Sequence, residues 1–171
     1  TKAGGGILTL SASNTYTGAT TVSAGKLTVS NNTALGTADA GTTVDAGATL
    51  ELSNINYSTA EALALSGTLG ATGTSTYAGV TNIAASSVIT VATSATLNMS
   101  AGLTGSAALE KTGAGALTLS AANTYSGDLT VSAGKVDNNS TLADTADVIV
   151  ANVAGAIYEV GAADTIASLA L

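Results

Sequence analysis

A near-duplication constrains this chain more than any other feature. Residues 4–27 read GGGILTLSASNTYTGATTVSAGKL, and residues 113–136 read GAGALTLSAANTYSGDLTVSAGKV. Aligned without a gap at an offset of 109, they agree at 17 of 24 positions, and the lysines ahead of them, Lys2 and Lys111, also correspond. Self-similar modules of this size are the signature of stacked repeat architectures, in which each unit packs on its neighbours.

Within each copy the apolar pattern has the period of a strand. Leu8 and Leu10 alternate with Thr9 and Ser11, and Leu117 and Leu119 repeat the arrangement, so the leucines are expected on an inner face. Asn-Thr-Tyr-x-Gly follows, at Asn14 to Gly18 and Asn123 to Gly127, and these residue types form turns. A second short strand at Thr-Val (21–22, 130–131) leads to a Ser-Ala-Gly turn (23–25, 132–134) and a third strand at Leu27-Thr28-Val29. One cycle therefore takes about 20–25 residues, the length of one solenoid coil.

The stretch between the copies continues the style more loosely. Thr43-Val44, residues 48–52, 62–65, 88–91 and 95–99 are strand candidates punctuated by glycines. Residues 57–65 contain Ala, Leu and Glu, which favour helix, but a strand with a protruding loop fits the surroundings better. Residues 166–171 alternate and read as a final strand with no turn after it.

Composition agrees with a narrow, layered interior. The chain has no Phe, Trp, Pro or Cys, and its five aromatic residues are all Tyr. Irregular cores are normally filled by large aromatics, whereas Ala, Val, Leu and Ile suit a regular one. Thr and Val favour strands and Gly, Asn and Ser favour turns, so the fold class is all-β. Four lysines, no arginine and eleven carboxylates leave no basic surface for nucleic acid. The most apolar stretch, Val148 to Tyr158, is short and interrupted by Asn152 and Gly155, so it does not read as a membrane span.

Short strands at this spacing build either a sandwich or a solenoid. Asn-Gly or Asp-Gly hairpin turns, which antiparallel sandwiches use, are missing. The expectation is one continuous solenoid over residues 1–171, of roughly seven or eight coils and about 35 Å long at about 4.8 Å per coil.

The pattern Lys-x-Gly-x-Gly, Leu-Thr-Leu-Ser, Asn-Thr-Tyr-x-Gly and Thr-Val-x-Ala-Gly-x-Leu resembles the passenger-associated repeat of bacterial autotransporters and related large surface proteins. It runs here from Lys2 to Leu27 and from Lys111 to Val136, with Val136 in place of the last leucine. Thr76-Tyr77-Ala78-Gly79 is similar in style to the spacer coils of that family. The resemblance implies a right-handed parallel β-helix, export across a Gram-negative envelope, display at or release from the outer surface, and no common catalytic residue.

The residues expected to matter are structural corners: Asn14, Tyr16, Gly18 and Gly25 in one copy, and Asn123, Tyr125, Gly127 and Gly134 in the other. The asparagine amides are expected to satisfy backbone groups that the ladder leaves open, and the tyrosines to cover the same corner. Without His, Cys or Arg the usual base, thiol nucleophile and guanidinium clamp are missing, so no catalytic, metal or cofactor site is assigned and no enzyme is expected. Asp137, Asp144 and Asp147 read as solvated loop carboxylates, with weak calcium binding as the alternative.

The functional expectation is a structural or adhesive cell-surface segment. Its partner would be itself, end to end or laterally, or extracellular glycans. A passive spacer stalk and a glycan- or partner-binding solenoid are the alternatives.

Overall fold

A computed structural model describes residues 1–171. The chain winds through twenty short strands and contains no helix. The first two coils hold β1 (Ile7–Leu10), β2 (Thr20–Val22), β3 (Lys26–Val29) and β4 (Thr42–Val44). Three coils then carry three strands each. They are β5 (Thr49–Ser53), β6 (Asn56–Tyr57) and β7 (Leu63–Leu65); β8 (Thr68–Thr72), β9 (Thr74–Tyr77) and β10 (Thr81–Ile83); and β11 (Ser87–Val91), β12 (Thr96–Met99) and β13 (Leu103–Gly105). The remaining coils hold β14 (Leu109–Thr112), β15 (Ala116–Leu119), β16 (Leu129–Val131), β17 (Lys135–Asn138), β18 (Asp147–Val150), β19 (Ile157–Val160) and β20 (Ser168–Ala170).

All strand pairs are parallel and each links one coil to the next, giving a β-solenoid of about eight turns. Its first face is the nine-stranded ladder β1-β3-β5-β8-β11-β14-β16-β18-β20. The second face is β6-β9-β12-β15-β17-β19, and the third is β2-β4-β7-β10-β13. On the first face Ile7 pairs Lys26, which pairs Thr49, then Thr68, Val88, Glu110, Thr130, Ile149 and Ala170. Successive differences run from 19 to 23 residues, so each coil is one repeat cycle long.

The interior is built from columns of inward side chains, one residue per coil. Leu8, Leu27, Leu50, Leu69 and Ile89 form one column of the first face, which continues through Lys111 to Val131 and Val150. Val22, Val44, Leu65 and Ile83 form one on the third face. On the second face Tyr57 stacks on Tyr77 with ring centroids 5.5 Å apart and planes 9° from parallel. Met99, Leu119 and Asn138 continue that column. Side chains of similar size fit such columns, which is why Ala, Val and Leu suffice without Phe or Trp.

The two sequence copies lie on different faces. From Ile7 to Glu110 the chain completes five coils in 103 residues, and Ala116, the counterpart of Ile7, comes six residues later on the next face. The offset of 109 is thus five coils plus one face. The first copy places its Asn-Thr-Tyr-x-Gly corner where the second face would have a strand, and the second copy places its corner where the third face would. The second face accordingly begins only at β6, after the first corner and the coil that follows it, and the third ends at β13, before the second corner.

The structure departs from the sequence expectations in four places. Leu117 and Leu119 are buried, but Leu8 is 43 % exposed because β1 is the edge of its ladder and nothing stacks on that side. The 57–65 stretch has strands at both ends and no helix, yet its connection does not simply protrude, since Glu61 is buried. Within 166–171 only Ser168–Ala170 is strand, paired on one side with β18. Asp137 and Asp147 are strand residues of β17 and β18 rather than loop carboxylates, because outward strand positions accept charge as readily as loops do.

Candidate functional site

At the repeat corner the chain leaves one ladder and crosses to another, so backbone groups lose regular partners and side chains must supply them. Asn123 does this on both sides. Its Oδ1 accepts the Leu103 N–H from the preceding coil at 2.8 Å, and its Nδ2 donates to the Thr141 carbonyl of the following coil at 3.0 Å. Asn14 Nδ2 donates to the Ala34 carbonyl one coil on, at 2.8 Å.

The tyrosine hydroxyls close the same corners. Tyr125 is fully buried, and its hydroxyl lies 2.9 Å from the Ala107 carbonyl and 2.7 Å from that of Asp128, sharing one proton between them. Burial pushes its phenol up from the ordinary value. Tyr16, in the first coil, is exposed on one side and shares a 2.7 Å hydrogen bond with Thr20 Oγ1.

The corner glycines differ in their reason. Gly25 and Gly134 both have φ of +66°, in the left-handed region. A Cβ on Gly134 would also sit 2.5 Å from the carbonyl oxygens of Gly113 and Gly115, and one on Gly25 would sit 2.6 Å from that of Gly4. The glycine-rich runs 4–6 and 113–115 are therefore the seats on which the next coil's Ser-Ala-Gly turn rests. A Cβ on Gly127 would run into the Ala107 carbonyl, whereas Gly18 faces open space.

The repeat lysines complete those seats. Lys111 is fully buried, and its ammonium donates to the carbonyls of Thr112 (2.8 Å), Gly113 (2.8 Å) and Ala133 (3.0 Å). Lys2 repeats the geometry with Ala3 (3.4 Å), Gly4 (2.7 Å) and Ala24 (2.9 Å). An ammonium has three donors, and all are used here to clamp one coil's turn to the next. Burial pulls the Lys111 pKa down to about 8.

Sequence reasoning gave no role to Glu61, which closes a corner of its own. Thr42 donates to one carboxylate oxygen and Tyr57 to the other, while the Tyr77 hydroxyl donates to the Glu61 backbone carbonyl at 2.8 Å. Burial raises the Glu61 carboxyl above its ordinary value against the pull of its two donors. Burial and the Glu61 charge push both tyrosines up. The only available signal was Tyr57-Ser58 echoing the Tyr-x-Gly of the corners, with Glu61 inserted before the next strand.

The carboxylates singled out from sequence are not brought together. Asp137 and Asp147 stand on different faces, and no group of three or more His, Cys, Asp or Glu is placed to hold a metal. Asp137 instead pairs with Lys135 at 2.6 Å, and Lys135 also reaches Glu159 at 2.6 Å. Lys26 and Glu51 make the corresponding pair at 2.7 Å beside the first repeat.

Many of these contacts bond a coil to its neighbour, as Asn123, Lys111, Lys2 and the Lys26–Glu51 pair do, and the rest fix a corner within its own coil. The family model of the passenger-associated-transport-repeat matches residues 1–29 and 109–137. No curated protein and no solved structure matches the chain. The two stretches similar to that repeat are the ones whose Lys, Asn, Tyr and Gly residues build the corners, one in the first two coils and one in coils further along the solenoid.

Proposed function

We propose that the chain is a stiff rod segment of an exported bacterial passenger, displayed at or released from the outer surface of a Gram-negative cell. Its work is structural, holding other parts of the protein or a partner surface at a distance. The carrying observation is how the distinctive repeat residues are used. Lys111 spends its donors on carbonyls of its own turn and of the next coil, Asn123 spends its amide on backbone groups of both neighbouring coils, and Tyr125 spends its hydroxyl on backbone carbonyls. A residue set selected for substrate chemistry would instead converge on a pocket. The repeat and the solenoid both fit an autotransporter passenger segment.

The test is display. The chain is placed between an export signal and an outer-membrane translocator with an epitope at its outer end, and intact cells are labelled. Surface labelling that survives washing supports the reading. An epitope reached only after the outer membrane is opened contradicts it.

A further inference from the structure

The corner between β6 and β7 is built differently from those stacked on it. Tyr57, Tyr77 and Met99 share one inward column, and Leu63, Thr81 and Leu103 share the next. Four positions take the chain from Tyr77 to Thr81 and from Met99 to Leu103, but six from Tyr57 to Leu63. The extra length lies in residues 58–61, a strap whose backbone makes no hydrogen bond to the backbone of another coil. Its flanks are anchored. The Ala78 N–H donates to the Tyr57 carbonyl at 3.0 Å, and the Thr42 N–H to the Ala62 carbonyl at 2.9 Å. The strap can leave without breaking a backbone bond of any ladder.

Glu61 alone holds it to the adjoining coils. Thr42 of the preceding coil reaches one carboxylate oxygen, Tyr57 reaches the other, and Tyr77 of the following coil donates to the Glu61 carbonyl. Gly79 makes room for that carbonyl, which a Cβ there would overlap. Glu61 is 1 % exposed and has no counter-cation. Lys26 and Lys135 pair with other carboxylates, and the ammonium groups of Lys2 and Lys111 sit on backbone carbonyls. The titratable groups facing Glu61 are Tyr57 from β6 and Tyr77 from β9, with Tyr16 beyond Tyr57. No charged residue stands on β4, β7 or β10, and Asp39, ahead of β4, is exposed and bonded to Thr37.

A second partner for Tyr77 is already in place. The Tyr16 hydroxyl bonds Thr20 Oγ1, four residues on, at 2.7 Å. Tyr77 and Thr81 have the same spacing, yet the Tyr77 hydroxyl is turned to Glu61. Thr81 Oγ1 is the one buried side-chain polar atom left without a hydrogen bond. An unpaired buried hydroxyl is costly, so the shut corner carries a penalty that its release would remove.

We propose that residues 58–61 are a proton-gated strap with two positions, shut on a neutral Glu61 and swung out when Glu61 is ionised, with Tyr77 then turning to Thr81. A proton on the oxygen nearer Thr42 reverses the direction of that bond and keeps it, so the neutral acid stays fully bonded. A carboxylate without a counter-charge gains solvation by leaving. Burial already holds the carboxyl above its ordinary 4.5. The shut form therefore keeps a proton that the open form loses. Opening gains with pH from about 4.5 to the raised value, by up to about tenfold per unit, and is level beyond it. The rod has a joint in its third coil that loosens as its surroundings turn from acid towards neutral.

The Glu61 amide, bonded to the Thr59 carbonyl at 2.8 Å inside the strap, reports its position, and the Leu63 amide, bonded to the Val80 carbonyl at 2.9 Å, reports the ladder. Hydrogen exchange of both is followed by NMR across pH on the 171-residue chain and corrected for intrinsic exchange. The Glu61 amide should speed up by up to about tenfold per unit above about pH 4.5 while Leu63 stays slow. In Glu61→Gln the residue 61 amide should stay slow and level. Thr81→Val keeps the side chain's shape but removes the second partner, and should slow Glu61 exchange at every pH by about fivefold or more. Exchange of Glu61 that is level with pH, the same course in E61Q, or Leu63 exchanging in step with it overturns the strap. Unchanged exchange in T81V overturns the exchange of partners by Tyr77. The strap needs only the solenoid, so its failure leaves the display reading standing.

Discussion

Lys2 and Lys111 make the same three-carbonyl clamp on different faces of the solenoid. Lys2 bridges to Val22 beside the third face, and Lys111 pairs with Val131 on the first. The clamp is thus a property of the repeat and not of the side of the rod it occupies. Replacing Lys111 by Met keeps the volume but leaves three partly buried carbonyls short of a donor. The expected loss is about 3 kcal/mol by urea unfolding. Lys2→Met, in the outermost coil, should cost less.

The same lysine gives stability a pH dependence. Its folded pKa of about 8 lies below the ordinary 10.5, so the unfolded chain binds more protons between those values. Stability should therefore rise as pH increases from about 8 towards about 10, by at most about 1.4 kcal/mol per unit. Above about pH 10 the sign reverses, because Tyr57, Tyr77 and Tyr125 are pushed up and ionise first in the unfolded chain. Urea midpoints across this range should show the rise, and Lys111→Met should remove it while keeping the fall.

Glu61 acts at the acid side. Its folded pKa is raised, so its contribution is greatest below the ordinary value and is lost as pH rises through the folded one. Glu61→Gln should flatten stability over that window while hydrogen exchange at residues 58–62 stays slow. A slope unchanged in the variant would place the titration elsewhere.

Two glycines separate backbone strain from close approach. Gly47 has φ of +78° with nothing near its absent Cβ, so Gly47→Ala should cost about 1 kcal/mol. Gly134 adds two carbonyl oxygens at 2.5 Å, and Gly134→Ala should cost about 2–4 kcal/mol. Equal costs would mean that the seat on 113–115 yields freely.

Asn123→Ala removes bonds to both neighbouring coils and should cost about 2 kcal/mol, more than Asn14→Ala, whose coil has a neighbour on one side only.

The ladder was legible because its signal is periodic. Alternation marked β1, β3, β5, β11, β12 and β15, and the 109-residue offset marked the corners. What was not legible depends on stacking. Leu8 and Leu117 have the same local sequence, and only the presence of β12 beneath one of them decides burial. Asn138 occupies the place of Val29 in the repeat, yet it is fully buried because Tyr158 and Asp164, a full coil later, accept its amide at 3.0 and 2.7 Å. Tyr158 in turn is pushed up to about 12 by burial. Such long-range partners leave no periodic trace.

The central claim is that the repeat recurs after five coils plus one face. Thr118 therefore lies beside Asn98 on the second face and not in the first-face column that joins Thr90 to Thr112. With paired cysteines and a short thiol cross-linker, Asn98→Cys/Thr118→Cys should link rapidly within one chain, and Thr90→Cys/Thr118→Cys should not. The reverse outcome would put both repeats on one face and contradict the account.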